Sequence, residues 1–243
     1  MVPLSVVLAL GMLFSGPPDD SVGYLTAKVK GPDGKFQKHV HPYIPREGDL
    51  IFYDDHSPVW MVLFAWAGSG PPLHMGIVIR RPAGMLGVLE AGPNDTVKVS
   101  IIEVRKRLKE FEGTITIRRC KTKLTKEKSA ALTKFAMAQD GKPYAVLRLL
   151  LQGTSFRSRG PIRELFLANT YLDRWSWICS ELAVAAGSVA GLIDGRAVPS
   201  NVVYPLDVVD DHRYDLSRHY YGPEVWQPAC GRGSNGKSNA TTP

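Results

Sequence analysis

Three residues of this chain have types and settings that chemistry can use: Cys179, His74 and Glu90. Cys179 lies in WSWICSELAVAAGSVA, residues 175–190. Ile178, Leu182, Ala185 and Val189 recur at steps of three and four and predict one buried helix face. Cys179, Ala183, Ala186 and Ala190 form a second face of small residues. Ser176 is the expected N-cap, which puts Cys179 in the first helical turn. There, unpaired N–H groups and the positive end of the helix dipole favour a thiolate, the nucleophilic form of the side chain. The same N–H groups could hold a developing oxyanion. Free cysteine is also among the most buried residue types, so a purely structural thiol is the competing reading.

A cysteine nucleophile needs a base, and the base needs an orienting acceptor. HMGIVIRR, from His74, and GVLEAGP, ending at Pro93, read as two strands joined by a turn containing Pro82 and Gly84. A turn near Pro82–Ala83 makes His74 and Glu90 directly opposed or diagonal neighbours, within side-chain reach if their parity matches. Gly76, on the His74 face, leaves room for another element to approach. The bland alternative is an edge histidine paired with a surface glutamate. The order along the chain is His, Glu, Cys, whereas ordinary papain-type enzymes run Cys, His, then Asn or Asp.

The elements that must position these residues follow from the rest of the chain. Residues 17–45 are rich in turn formers, with one short strand expected near Gly23–Val29. Leu50–Tyr53 reads as a buried strand entered from a Gly48–Asp49 turn. Val59–Ala67 is apolar throughout, with two Trp and one Phe. It reads as a core helix or strand, or as a flap beside the site that touches an apolar substrate or a membrane. Val97–Ile102 and Thr114–Arg119 read as strands flanking a basic helical piece, Glu103–Phe111. Residues 105–128 carry ten Lys and Arg, which reads most simply as a solvated face. Thr125–Gln139 is an amphipathic helix ended by Asp140–Gly141. Gly153–Pro161 reads as a basic loop and Pro161–Asn169 as a short helix. The chain after Ala190 is loop-rich.

A length of 243 residues suits one domain with a proper core. Hydrophobic content of 44% and charged content of 22% are ordinary for a globular protein. A net charge of +7 favours an anionic membrane or cell-wall surface, and no nucleic-acid-binding motif is present. Three Cys make no disulfide framework. No spacing resembles a zinc site, and no P-loop, dinucleotide fingerprint or repeat is found, so no cofactor or metal is expected. Residues 1–22 read as a signal peptide or apolar N-terminal segment, although no Lys or Arg precedes the apolar run. Export or membrane association is therefore favoured over a cytoplasmic location. Residues 230–243 read as a disordered tail.

GDLIF (Gly48–Phe52), HMGIVI (His74–Ile79), LEA (Leu89–Ala91), Lys142–Pro143–Tyr144 and CSEL (Cys179–Leu182) together resemble the pattern of circularly permuted papain-like hydrolases, the NlpC-type group that includes YiiX- and YaeF-like amidases. The resemblance spans residues 45–205. It implies an α+β, permuted papain-like domain over 23–229, an antiparallel sheet with packed helices, and a late catalytic helix. It implies Cys179 as nucleophile, His74 as base and Glu90 as the orienting residue. Members often carry Asp after the tyrosine, where this chain has Ala145. The expected activity is a thiol hydrolase cleaving an amide or ester of a peptide or acyl-amide substrate such as cell-wall peptide. The alternatives are an acyltransferase of the lecithin–retinol type and a non-catalytic binding module. Among the three sites, Glu90→Gln is expected to be the mildest substitution, because an amide still accepts a hydrogen bond from the imidazole.

Overall fold

The computed structural model describes residues 20–32, 34–92, 96–152, 154, 164 and 166–229. The expected N-terminal segment up to residue 19, the tail from Cys230, the expected basic loop at 153 and 155–161, and residues 162, 163 and 165 of the short helix after it lie outside the described residues. Eight strands form one sheet: β1 (Tyr24–Lys30), β2 (Phe36–Pro42), β3 (Leu50–Asp54), β4 (His74–Arg80), β5 (Leu86–Ala91), β6 (Val99–Glu103), β7 (Thr114–Arg118) and β8 (Glu224–Gln227). Their spatial order is β2-β1-β8-β7-β3-β4-β5-β6, and every pairing is antiparallel. Among the described residues the α-helices of five or more residues are α1 (Pro58–Trp66), α2 (Val104–Glu110), α3 (Lys126–Gln139), α4 (Val146–Gln152), α5 (Cys179–Val189) and α6 (Pro205–Val209). The class is α+β, with helices packed on an antiparallel sheet.

The two-residue period of the central strands splits the interior in two. Leu50, Phe52, Met75, Ile77, Ile79, Leu89 and Ala91 point to one face and pack against Leu132, Phe135 and Ala136 of α3 and the small residues of α5. Ile51, Tyr53, Val78 and Val88 point to the other, against Val104 and Leu108 of α2 and Ile115 and Ile117 of β7. Helix α5 is buried on all sides from Cys179 to Gly187. That explains its Ala-rich composition: small side chains let the helix backbone approach the sheet closely. Gly187 is one such approach, since a Cβ there would sit 2.7 Å from Ile193 Cδ1.

Several expectations need correction. Strand β2 lies in a stretch read as irregular, and β8 in a stretch read as loop. The residues of β2 are almost all exposed, so it carries no hydrophobic alternation to betray it. It forms because β1 offers it seven backbone partners, Tyr24↔Pro42 to Lys30↔Phe36. The basic stretch 105–128 is not wholly a solvated face, because Arg107 and Arg118 are 1% and 0% exposed. Arg118 is held by the Val208 and Tyr221 carbonyls at 3.1 Å each and by Asp211 at 2.7 Å. Helix α1 is not a core element either. Phe64 is its one buried residue, while Val59, Val62 and Trp66 are exposed.

Candidate active site

The β4–β5 hairpin turns through Arg81–Met85, with Gly84 at φ 86° closing it. Its register places Gly76 opposite Glu90, so His74 is the diagonal neighbour of Glu90 on the same face. Gly76 has a specific use. A Cβ there would meet Glu90 Cγ at 2.6 Å and Val88 Cγ1 at 2.7 Å. The space above the glycine is thus filled by the Glu90 side chain itself, which crosses it to reach the imidazole. His74 Nε2 and Glu90 Oε2 are 2.9 Å apart. Cys179 lies close enough to His74 for its charge to raise the imidazole pKa. The structure therefore brings together all three residues singled out in the sequence, with His74 in the middle.

Cys179 is the first residue of α5 rather than its third, and Ser176 is not its N-cap. Ile178 takes that place in an extended conformation, φ −92° and ψ 151°. The reason is tertiary. Trp177 bridges Tyr144 in parallel, receiving Ala145 N–H at 2.9 Å and donating to the Pro143 carbonyl at 3.1 Å. Its ring is buried, with Nε1 donating to Gln139 Oε1 at 3.0 Å. Residues 176–178 are thereby held straight, and the helix cannot begin before Cys179. Glu181 reaches back to the Ile178 N–H at 3.4 Å and is itself paired with Arg148 and Arg174. The Lys142–Pro143–Tyr144 element thus anchors the segment that delivers the cysteine.

Glu90 is fully buried and has more partners than the imidazole. Arg107 Nε lies 2.9 Å from Oε1 and 3.1 Å from Oε2, and Arg107 Nη2 lies 2.9 Å from Oε2. Tyr53 donates its hydroxyl to Oε1 at 2.7 Å. The guanidinium lies over the Tyr53 ring, 4.4 Å from its centroid, and 5.3 Å from that of Phe111. Burial works against the charge of Glu90, but His74 and Arg107 outweigh it and bring its pKa down to about 2. Burial likewise works against protonation of His74, and the charge and hydrogen bonding of Cys179, then of Glu90, outweigh it and raise its pKa to about 9. Arg107 and Tyr53 were not singled out in the sequence. A basic helix gives no sign of which arginine turns inward, and β3 gives no sign that its tyrosine hydroxyl meets a carboxylate.

Beside His74 opens a cleft of about 550 Å³. Trp60 and Phe64 of α1, Leu73, and Val146 and Leu149 of α4 give it an apolar wall, and Asp55, Glu110 and Glu112 lie on its rim. Tyr144 also lines it and sits close enough to Cys179 for a thiolate there to add to the effect of burial in raising the tyrosine pKa. Cys179 itself is 1% exposed, so the histidine rather than the sulfur faces the cleft. The second described thiol, Cys120, is set apart from this site. Burial raises its pKa to about 11, and Sγ is spent on the Thr122 carbonyl at 3.2 Å. The GDLIF motif is structural too: Asp49 accepts from Cys120 N–H at 2.7 Å, Arg46 N–H at 2.9 Å and the Tyr43 hydroxyl at 2.9 Å.

No protein-family model and no curated protein sequence matches the chain. Among solved structures, the metalloprotein YiiX from Escherichia coli O157:H7 is similar over 77% of this chain and 99% of its own, at 17% identity and a TM-score of 0.45. A likeness of that degree assigns neither a fold family nor an activity. Among the described residues, no group of three or more His, Cys, Asp and Glu is placed to hold a metal ion.

Proposed function

We propose that the chain is a thiol hydrolase on a permuted papain-like scaffold, cleaving an amide or ester through Cys179, His74 and Glu90. The observation that carries this reading is the imidazole of His74, paired with the buried Glu90 carboxylate at 2.9 Å and close enough to Cys179 to be influenced by its charge. In the reaction His74 holds the proton taken from the Cys179 thiol, and the thiolate attacks the substrate carbonyl carbon to form a C–S bond. N–H groups of the first turn of α5 lack helical partners and meet the oxyanion. His74 gives its proton to the departing amine or alcohol as the C–N or C–O bond breaks. Water, deprotonated by His74, then attacks the thioester and restores the thiol. Glu90 fixes the imidazole orientation throughout. Because Arg107 already neutralises Glu90, the carboxylate orients more than it adds net negative charge.

The apolar wall formed by Trp60, Phe64, Leu73 and Leu149 favours a substrate with an apolar acyl portion. It supports a second reading, in which the acyl group passes from Cys179 to an amine or alcohol instead of to water.

Single-turnover release from an activated thioester tests both readings, with and without an added amine acceptor. Cys179→Ala is expected to abolish covalent acyl-enzyme formation, and His74→Ala to be nearly as damaging. Iodoacetamide at mildly acidic pH is expected to label Cys179 in preference to Cys120. Wild-type turnover by Cys179→Ala would overturn the thiol mechanism and leave a serine-based mechanism or a binding module in its place.

A further inference from the structure

Helix α1, PVWMVLFAW, contains no polar side chain, yet only Phe64 is buried. Val59, Val62 and Trp66 are 66%, 66% and 73% exposed, and their spacing of three and four puts them on one face. Helix α4 packs beside α1: Leu149 and Leu150 meet Leu63, Phe64 and Ala67 around a small void. Its own outer side exposes Leu147 and Leu150. The strip continues past α4, where Arg148 donates to the Ser176 carbonyl at 2.6 Å. Next to Ser176 stands Trp175, 84% exposed, and Leu172 is exposed three residues earlier. Exposed apolar side chains gathered in this way on a folded domain mark an interaction site.

Charge selects the occupant. The chain carries a net charge of +7. Within the strip, Arg148 and Arg174 share the single carboxylate of Glu181, which leaves one positive charge uncompensated. Asp54 and Asp55 precede the start of α1, so the positive surplus belongs to the α4 side. An anionic bilayer meets both features: tryptophan and aliphatic side chains enter the headgroup boundary, and arginines pair with phosphate. Nine residues of helix span about 13.5 Å, far short of the roughly 30 Å of a hydrocarbon core. Among the described residues no helix is long and apolar enough to cross a membrane.

We propose that the strip formed by α1, α4 and the Leu172–Trp175 segment docks in the plane of an anionic lipid surface. The inner sides of the same two helices supply Trp60, Phe64, Val146 and Leu149 to the cleft, so docking sets the cleft beside the lipid. This surface stands independently of whether Cys179 is catalytic.

The test is co-sedimentation of the full chain with vesicles of phosphatidylcholine containing phosphatidylglycerol, compared with phosphatidylcholine alone. Val62→Glu/Trp66→Glu and, separately, Leu147→Glu change exposed side chains outside the cleft lining. Unchanged melting temperatures check that these variants fold. The wild type is expected to bind the anionic vesicles, more weakly at high salt, and each variant to bind at least about tenfold less well. Residues 2–15, apolar in sequence, are present in every sample, so any binding of their own would persist in the variants. Wild-type binding by folded variants would overturn the proposal, as would failure of the wild type to bind anionic vesicles or equal binding to neutral ones. A wild-type dimer that the variants dissociate, with vesicle binding unchanged, would assign the strip to a second copy.

Discussion

A glutamine in place of Glu90 keeps an acceptor for His74 but removes the carboxylate charge that faces the Arg107 guanidinium, 1% exposed. Removing one partner of a buried ion pair costs about 3–5 kcal/mol. Glu90→Gln is therefore expected to lower the melting temperature markedly, as well as slowing turnover, and is not the mild change that the imidazole alone would suggest. Pairing it with Arg107→Met should recover much of the stability, because no buried charge is then left unmatched. Thermal unfolding of the two variants checks this, and equal losses would show that Arg107 is not the cause. His74 gives a second prediction at this scale. Its pKa is raised from 6.5 to about 9, so its stabilising interactions are fully present below about pH 6.5 and are lost as pH rises through about 9. Loss of the same proton should give kcat/KM an alkaline limb near pH 9. Among the influences that raise this pKa, Cys179 comes first, so Cys179→Ala should move it down, as read by NMR titration of the His74 ring. An unmoved titration would mean that the thiol and imidazole do not share charge.

At the scale of elements, the β4–β5 hairpin is a positioning device as much as a core component. Gly76 lies between the two functional residues, and any side chain there collides with Glu90, Val88 and the Leu89 carbonyl. Gly76→Ala should cost about 1–3 kcal/mol through overpacking. Its larger effect should be on turnover, because the collision displaces the carboxylate from His74 while leaving Cys179 in place. Unfolding and single-turnover measurements on the same variant check this. A loss of stability with catalysis unchanged would show that the Glu90 contact tolerates the shift. Helix α5 is placed by a different device. The strand-like bridge between Tyr144 and Trp177 stops the helix from starting early and so makes Cys179 its first residue.

At the scale of the whole molecule, β8 joins two parts of the sheet. It pairs with β1 on one side and β7 on the other. Its Glu224 ties His41 of β2 at 2.8 Å and Arg119 at 2.6 Å. Removing the chain from Gly222 onward is expected to release the β1–β2 hairpin while the β7-β3-β4-β5-β6 portion persists. Hydrogen exchange should then show protection lost in Tyr24–Pro42 and retained in Leu50–Asp54 and His74–Ala91. Retained protection in the hairpin would mean that its other contacts, such as the Tyr43 hydroxyl on Asp49 at 2.9 Å, suffice.

The sequence by itself determined the parts that depend on local periodicity and short-range geometry. Strands β3 to β7 and helix α3 follow from apolar spacing and end signals. The proximity of His74 and Glu90 follows from a tight turn, because a hairpin fixes its own register. The helical nature of the Cys179 segment follows from spacings of three and four. What only the tertiary structure decided are the features set by contacts between distant residues. Strands β2 and β8 owe their form to partners in β1 and β7 rather than to their own pattern. The start of α5 is set by a bridge to a segment more than thirty residues earlier. Arg107 is buried because the Glu90 carboxylate and the Tyr53 ring, both from other elements, await it, and nothing within a run of basic residues marks the one that turns inward.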